Sequence, residues 1–220
     1  MKLLNKIKSS IFRLIESTIR NISGQLGIKI RSFYYSRRFG KCGKNLRIDE
    51  GVIIQGIKNI FLGDYVWIDK YSIIMAGKIT IDSTKCKNKI NRYYAHKEGE
   101  LHIGSNGVLG IGTIIQAHGG VQIGDDFSTS PGCKIYSSSN DVAKCRKGNY
   151  NHDETYYLKS PITIGNNVWL GFNSIVLGGC IHDDCFIAPN SVVISEIERN
   201  AFAEGFPAEK IKDRFSSCKK

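Results

Sequence analysis

A large aliphatic residue recurs at every sixth position through much of the chain, and the residue after it is usually small or polar. The clearest sets are Ile103, Leu109 and Ile115; Ile123, Thr129 and Ile135; Ile164, Leu170 and Val176; and Ile181, Ile187 and Val193. A period of six fits neither an α-helix nor the simple alternation of a strand. Three hexads would instead form one turn of a three-sided coil of about 18 residues, with the aliphatic residues stacked inside. The pattern predicts an all-β solenoid.

The first residues of the chain follow a different pattern. Apolar residues spaced three or four apart indicate an amphipathic helix, and they are Leu4, Ile7, Ile11, Leu14, Ile15, Ile19 and Ile22. An uncharged apolar run long enough to span a bilayer is absent from this arm, as is a small-residue cleavage site. We therefore expect neither a membrane span nor a secretory signal, and a cytoplasmic protein.

Positive charge is concentrated in the same arm. The chain carries a formal charge of +11, and residues 1–44 account for +10 of it, since eleven Lys and Arg face only Glu16. A basic arm on a nearly neutral body indicates contact with an anionic surface. Both nucleic acid and the anionic lipid headgroups at the inner face of the plasma membrane carry such a charge. Of the two we expect contact with the membrane and no binding of nucleic acid. The alternative is a helix that packs on its own domain or on a sister subunit.

Two polar stretches interrupt the hexads, near residues 83–100 and 141–160. Both are rich in Tyr, Asn, Lys and His. A solenoid needs no insertions for stability, and long loops in compact domains are often functional. The predicted organisation is therefore an arm at 1–40, a coil at 41–200 with these two projecting loops, and a short helical tail at 201–220.

Seven cysteines without paired CxxC spacing indicate reduced thiols, and we expect no metal site.

Three ordered motifs accompany the repeat. They are Ile164 to Gly171 (IGNNVWLG), Ala188 to Val193 (APNSVV) and Gly205 to Lys212 (GFPAEKIK). Together with the hexads, over roughly residues 40–214, they resemble the hexapeptide-repeat acyltransferases, and in particular the bacterial sugar and polysaccharide O-acetyltransferases. The resemblance implies a left-handed parallel β-helix, a homotrimer, acetyl-CoA as the acyl donor, and a loop that reaches toward the neighbouring subunit to wall the active site.

Acyl transfer to a hydroxyl or amine needs a general base, and histidine is the usual one at neutral pH. In the family a histidine often ends a coil in a segment like S/T-x-S/T-H-D. The matching segment here, Ser137 to Asp141, has Asn140 at the histidine position. Asn cannot accept the proton, so Asn140 would at most orient a substrate. His102 and His182 flank hexads and are expected to be exposed side chains without a catalytic role.

Two other histidines are candidate bases. His152 lies in the second polar stretch, where sugar-directed relatives that lack the coil-end histidine carry one. His118 lies one coil before Asn140, and stacked coils are about 4.8 Å apart. Asp141 or Asp153 would fix the tautomer of the histidine that acts. The alternative is that these residues are solvated loop and turn formers.

For the donor, the resemblance implies acetyl-CoA in a groove between two subunits. Trp169 and Gly171 match positions beside the thioester, and Pro189 matches a position whose backbone contacts the pantetheine. The basic residues Lys210, Lys212 and Arg214 match positions that meet the CoA phosphates. Ser195 stands where relatives often have a lysine, which implies fewer phosphate contacts. A solvated, charged C-terminal helix is the alternative for these basic residues.

The acceptor is not identified by any single residue. The resemblance and the basic arm together predict a saccharide, with a lipid-linked glycan as the favoured form, acetylated by direct transfer. Alternatives are N-acetylation of a nucleotide-linked amino sugar and a non-catalytic trimeric scaffold, the latter motivated by Asn140. A zinc carbonic anhydrase of the same fold would need convergent histidines with an H-x4-H spacing, which this chain lacks.

Overall fold

The computed structural model describes residues 14–79, 83–144 and 156–216. The chain winds through six turns, and each turn visits three parallel sheets in the same order. These sheets form the three faces of a triangular prism. The three-sided coil predicted from the hexads, and the left-handed parallel β-helix that the family resemblance implies, are confirmed.

The strands are short, as a six-residue period requires. The first face contains β1 (Lys41–Cys42), β4 (Ile60–Leu62), β8 (Leu101–Ile103), β11 (Val121–Ile123), β16 (Ile162–Ile164) and β19 (Gly179–Ile181). The second face contains β2 (Arg47–Ile48), β5 (Trp67–Ile68), β9 (Val108–Leu109), β12 (Ser128–Thr129), β17 (Trp169–Leu170), β20 (Phe186–Ile187), β22 (Ala201–Gly205) and β23 (Ala208–Asp213). The third face contains β3 (Ile53–Gln55), β6 (Ile73–Met75), β10 (Ile114–Gln116), β13 (Lys134–Tyr136), β18 (Ile175–Val176) and β21 (Val192–Val193).

The hexad residues of the regular repeats point into the prism and form its core. Each of them is at most 3% exposed, including Thr129, which is polar. The Thr129 hydroxyl accepts a hydrogen bond from the Gly110 amide at 2.8 Å and lies 2.7 Å from the Thr113 hydroxyl. A buried hydroxyl is tolerated when its hydrogen bonds are made, so Thr129 replaces an aliphatic residue here without an unsatisfied polar group.

Asn and Asp occupy the corners between the first and second faces because the backbone there is left-handed. Asn106, Asp126 and Asn167 have φ between +53° and +58°. Short polar side chains tolerate this conformation better than other residues except glycine. They also bond between turns, as Asn106 does when it donates to Asp126 at 3.0 Å. These contacts fix the register of successive turns.

The coil is interrupted twice, and both interruptions leave the same corner. The chain leaves between β6 and β8 and again between β13 and β16, passing each time from the third face to the first. We call this the excursion corner. The two excursions pair with each other in a small sheet of β14 (Ser138–Asn140), β15 (Tyr157–Lys159) and β7 (Cys86–Asn88). Short 3-10 turns lie at Ile57–Asn59 and Ser83–Lys85.

Part of the basic arm packs on its own domain. Residues 14–21 form helix α1, and α2 spans Gly24–Ser36. α2 buries Arg31 and Tyr35 against the first turn of the coil, and Phe39 follows into the same core. The arm therefore closes the open end of the hydrophobic core at residues 24–39. Within the described chain, no helix is both long enough and apolar enough to cross a bilayer.

The prediction of a helical tail at residues 201–220 is wrong for the residues that the structure describes there. Residues 201–213 form an antiparallel hairpin, in which β22 continues the second face by pairing with β20, and β23 folds back on β22. Ala201 and Ala203 are buried and the residue between them is not, which is the alternation of a strand. The last turn of a solenoid leaves a row of unpaired backbone groups, and β22 satisfies that edge. The backbone hydrogen bonds gained by pairing with β20 outweigh the helix propensity of the charged tail.

Candidate active site

His118 lies at the excursion corner, between the two excursions. It is half-buried, and its Nδ1 lies 2.8 Å from the carbonyl oxygen of Gly77, one turn below. A carbonyl only accepts, so Nδ1 carries a proton, and in the neutral form of the ring the lone pair is on Nε2. The structure thus orients the imidazole with a free base nitrogen, which is the state that general-base catalysis requires.

The neighbouring turn contributes serines and Asn140. The pairing of the two turns ends at Gln116 and Tyr136, and His118 and Ser138 each follow two residues later. The Ser137 hydroxyl accepts from the Gly119 amide at 2.9 Å and is therefore engaged in holding the two turns together. Asn140 ends β14, and the Asp141 amide donates to the Tyr156 carbonyl at 2.8 Å. Asn140 and Asp141 are thereby fixed by the sheet of the second excursion, on the same corner as His118.

The other candidate base is His152. Together with Asp153 it lies outside the described residues.

A cavity of about 230 Å³ has Gly119, the residue that follows His118, in its wall. Its other lining residues come from both excursions and from the start of the next coil, and they are Asn88, Tyr94, His96, Glu98, Lys159 and Pro161. Lys159 is 5% exposed and forms an ion pair with Glu98. Analysis of the sequence missed these residues, because only the pairing of the two excursions brings them together; the interruptions of the hexad repeat were the available signal.

Trp169, Gly171 and Pro189 lie elsewhere on the prism. Trp169 is on the second face, 47% exposed, and its indole Nε1 donates to the Ser130 hydroxyl at 3.0 Å. Gly171 follows at the corner, where a Cβ would lie 2.7 Å from the Pro189 nitrogen of the next turn. Gly171 is thus required by the close stacking of turns, whatever its role toward a donor.

The three basic residues of the tail differ in what they contact. The Lys210 ammonium forms ion pairs with Glu198 and Asp213, at 2.8 and 2.7 Å. The Arg214 guanidinium donates to the backbone carbonyls of Asn167 and Cys185 and so ties the tail to the coil. Lys212 is exposed, with its ammonium 4.9 Å from the centre of the Phe202 ring. Lys212 is the best placed of the three to meet an anion from solvent.

The predicted site residues therefore form two groups that one chain does not bring together. His118, Asn140 and Asp141 belong to the corner between the third and first faces. Trp169 lies on the second face, which in a triangular prism is opposite that corner. The coil separates the two groups, so they would meet only where the corner of one copy faces the second face of another.

The two histidines that were expected to have no catalytic role are held by other groups. His182 Nε2 lies 2.7 Å from a Glu196 carboxylate oxygen. His102 lies on the first face, stacked on Phe61.

Comparisons with known proteins agree with this architecture. Residues 161–195 match the family model described as bacterial transferase hexapeptide (six repeats). The galactoside O-acetyltransferase of Escherichia coli K12 is 32% identical over 51% of this chain and 54% of its own length. The dTDP-4-amino-4,6-dideoxy-D-glucose acyltransferase of Escherichia coli is 29% identical over 80% of this chain and 83% of its own length. Residues 161–195 thus carry the hexapeptide repeat of bacterial transferases, and the chain is similar over half or more of its length to acyltransferases that act on sugars.

A solved structure extends the likeness in fold over most of the chain. A mutant of AntD, an N-acyltransferase from Bacillus cereus, in complex with dTDP and coenzyme A, matches with a TM-score of 0.68. The match covers 89% of this chain and 92% of AntD, at 20% identity, and shows that the two proteins share the fold. This hexapeptide-repeat chain spans only about half of the galactoside enzyme.

Proposed function

We propose that this protein is an acetyl-CoA-dependent O-acetyltransferase that acts on a saccharide, with His118 as the general base. The observation that carries the proposal is the hydrogen bond from His118 Nδ1 to the Gly77 carbonyl, which leaves Nε2 as the base. A sugar hydroxyl is a weak nucleophile at neutral pH, and a base within reach removes its proton as it attacks. The cavity at Gly119 is lined in part by Asn88, Tyr94 and His96, which are donors and acceptors of the kind that sugars require.

The reaction follows as one direct transfer. His118 Nε2 takes the hydroxyl proton while the sugar oxygen bonds to the thioester carbonyl carbon. The tetrahedral intermediate then expels the sulfur of CoA, and the imidazolium returns the proton to it. The products are the sugar ester and free CoA. Direct transfer is also supported by the burial of Cys133, Cys180 and Cys185, which removes these thiols as nucleophiles.

The donor site is proposed between copies of the chain in a homotrimer. Trp169 presents an exposed indole on the second face, and Lys212 an exposed ammonium on the hairpin that extends that face. These fit the apolar arm and the phosphates of CoA. Arg214 and Lys210 would contribute less, since their charged groups already bond to carbonyls or carboxylates of the same chain. His118 of a second copy would supply the base.

A kinetic comparison tests the role of His118. Transfer from acetyl-CoA to a panel of saccharides would be measured for the wild type, His118→Ala, His152→Ala and His182→Ala. We expect His118→Ala to lower kcat by about 100-fold or more, the usual contribution of a general base. His182→Ala is the matched control, because that ring is held by Glu196 and does not line the cavity at Gly119. Loss of activity in His152→Ala alone would assign the base to the second excursion instead.

N-acylation of a nucleotide-linked amino sugar is the second candidate. It is favoured by the extent of the match to the dTDP-amino-sugar acyltransferase, which spans 80% of this chain. An unprotonated amine is a better nucleophile than a hydroxyl and depends less on a base. Turnover of a nucleotide-linked amino sugar that persists in His118→Ala, with no turnover of glycans, would reverse the choice.

We further propose that the arm holds the enzyme at the inner face of the plasma membrane, where lipid-linked glycans are found. Leu26 and Phe33 are 67% and 64% exposed on α2, and Lys29 and Arg37 are exposed beside them. An exposed apolar surface flanked by cations suits an anionic bilayer. Sedimentation with anionic vesicles, weakened in Leu26→Ser/Phe33→Ser and absent with neutral vesicles, is the expected result. Equal binding to both vesicle types would contradict it.

A further inference from the structure

A cluster of two histidines and a glutamate lies on the first face and includes none of the residues proposed for acyl transfer. It consists of His96, Glu100 and His102, whose nearest ligand atoms all lie within 4.8 Å of one another. His102 belongs to β8, Glu100 immediately precedes that strand, and His96 belongs to the first excursion. From these residues we propose a divalent transition-metal site, with zinc as the ion that its two imidazoles and one carboxylate suit best.

The distances are close to those of a zinc centre. His102 Nε2 lies 2.9 Å from Glu100 Oε2. Two ligand atoms on a tetrahedral zinc ion are about 3.4 Å apart, given bonds of about 2.1 Å. The pair would open by about half an ångström to admit the ion. The ring of His96 is stacked on that of His102, with centres 3.4 Å apart, so it must leave this stack to turn a nitrogen toward the same point. His96 is exposed, which leaves it room to do so.

Neighbouring groups hold the two inner ligands in place. The Phe61 ring lies parallel to that of His102, with centres 4.4 Å apart, and fixes its plane. The Lys97 amide donates to Glu100 Oε2 at 3.3 Å. The Tyr94 hydroxyl donates to the carbonyls of Lys97 and Glu100 and fixes the turn between them. Support of this kind around the ligands is typical of metal sites.

The site is accessible and would connect two parts of the fold. A groove of about 450 Å³, lined by Phe61, His96 and His102 among others, opens beside the cluster and leaves room for water as a fourth ligand. His96 also lines the cavity at Gly119. An ion held by these three residues would clip the first excursion to the first face and steady one wall of that cavity. The ion would thus act as a structural clip and is not part of the proposed acyl transfer.

Cobalt and zinc binding to the full-length, chelator-treated protein tests the proposal. Cobalt reports its ligands in the visible spectrum, and zinc would then be titrated in competition. We expect one cobalt ion per chain, displaced by zinc, with no thiolate-to-metal charge-transfer band. His96→Ala should weaken binding by at least about tenfold. This residue is exposed, so the variant should fold normally, and Glu100→Gln should weaken binding in the same direction.

The control is His182→Ala, which removes a histidine paired with a carboxylate on the same face but outside the cluster. It should bind cobalt as the wild type does. A second readout is limited trypsin digestion, in which zinc should slow cleavage at Lys89 and Arg92 in the wild type and not in His96→Ala. No binding by the wild type, binding through cysteine thiolates, or equal loss in His182→Ala and His96→Ala would each overturn the proposal.

Discussion

At the scale of the residue, the cysteines show how burial sets reactivity. Cys180 is 4% exposed, and its burial, reinforced by the carboxylate of Glu196, raises its pKa to about 11. Because the thiolate is the reactive form, we predict that Cys180 resists iodoacetamide at pH 7.5 until the protein unfolds. Mass spectrometry of native and denatured samples would measure this. Cys86, which is half-buried, is the internal control and should label in the native protein.

The same shift makes stability depend on alkaline pH. In the unfolded chain Cys180 ionises near its ordinary pKa of 9.0, whereas in the folded protein it remains protonated to about 11. Its contribution to the free energy of unfolding is therefore complete below pH 9 and is lost as the pH rises from 9 to 11. Burial shifts Cys133 and Cys185 in the same direction. Fast labelling of Cys180 at pH 7.5 would show that this part of the coil opens readily.

At the scale of the element, α2 is held to the coil by one buried cation. Arg31 is 1% exposed; its Nε donates to the Ile48 carbonyl at 2.9 Å and its Nη1 to the Ile22 carbonyl at 2.6 Å. Arg31→Met keeps the volume but leaves these carbonyls without their donors. We predict a loss of about 3 kcal/mol, or about 6–12 °C in Tm for a chain of this size. Thermal unfolding followed by circular dichroism measures it.

Arg37→Met provides the matched comparison, because Arg37 is exposed and lies over the ring of Phe33 on the outer side of α2. That variant should stay within about 0.5 kcal/mol of the wild type. If the two variants had the same Tm, the packing of Tyr35 and Phe39 would be sufficient to hold α2 on the coil.

The elements also show what the sequence can predict. In the coil every sixth residue is buried, as Ile115 and Ile135 are. This repeat is visible in short stretches of the sequence, so the coil was predictable. The pairing of Lys159 with Glu98 joins residues 61 positions apart and leaves no such pattern. The same holds for Arg31, which reads as one more cation of a basic arm until the coil is built beneath it. The tail was mispredicted because its strand exists only to complete the edge left by β20.

At the scale of the whole molecule, the separation of the two groups of site residues leads to a complementation test. If each site takes His118 from one copy and Trp169 from another, His118→Ala and Trp169→Ala homotrimers should both be nearly inactive. Trimers that mix the two variants would contain some sites with both residues intact. In a cyclic trimer that contains both variants, one of the three interfaces joins an intact His118 to an intact Trp169, so trimers purified through both tags should have about one third of the wild-type activity.

Acetyl transfer would be measured after the two variants are coexpressed with different affinity tags and purified through both. Mixing the same chains after each has assembled separately is the control, and it should restore little activity unless subunits exchange. Activity that stays at the level of the single variants would place His118 and Trp169 in a site within one chain, which the prism does not allow, or remove one of them from the site. Recovery would locate the reaction at the interface, where the corner that carries both excursions meets the second face of a neighbour.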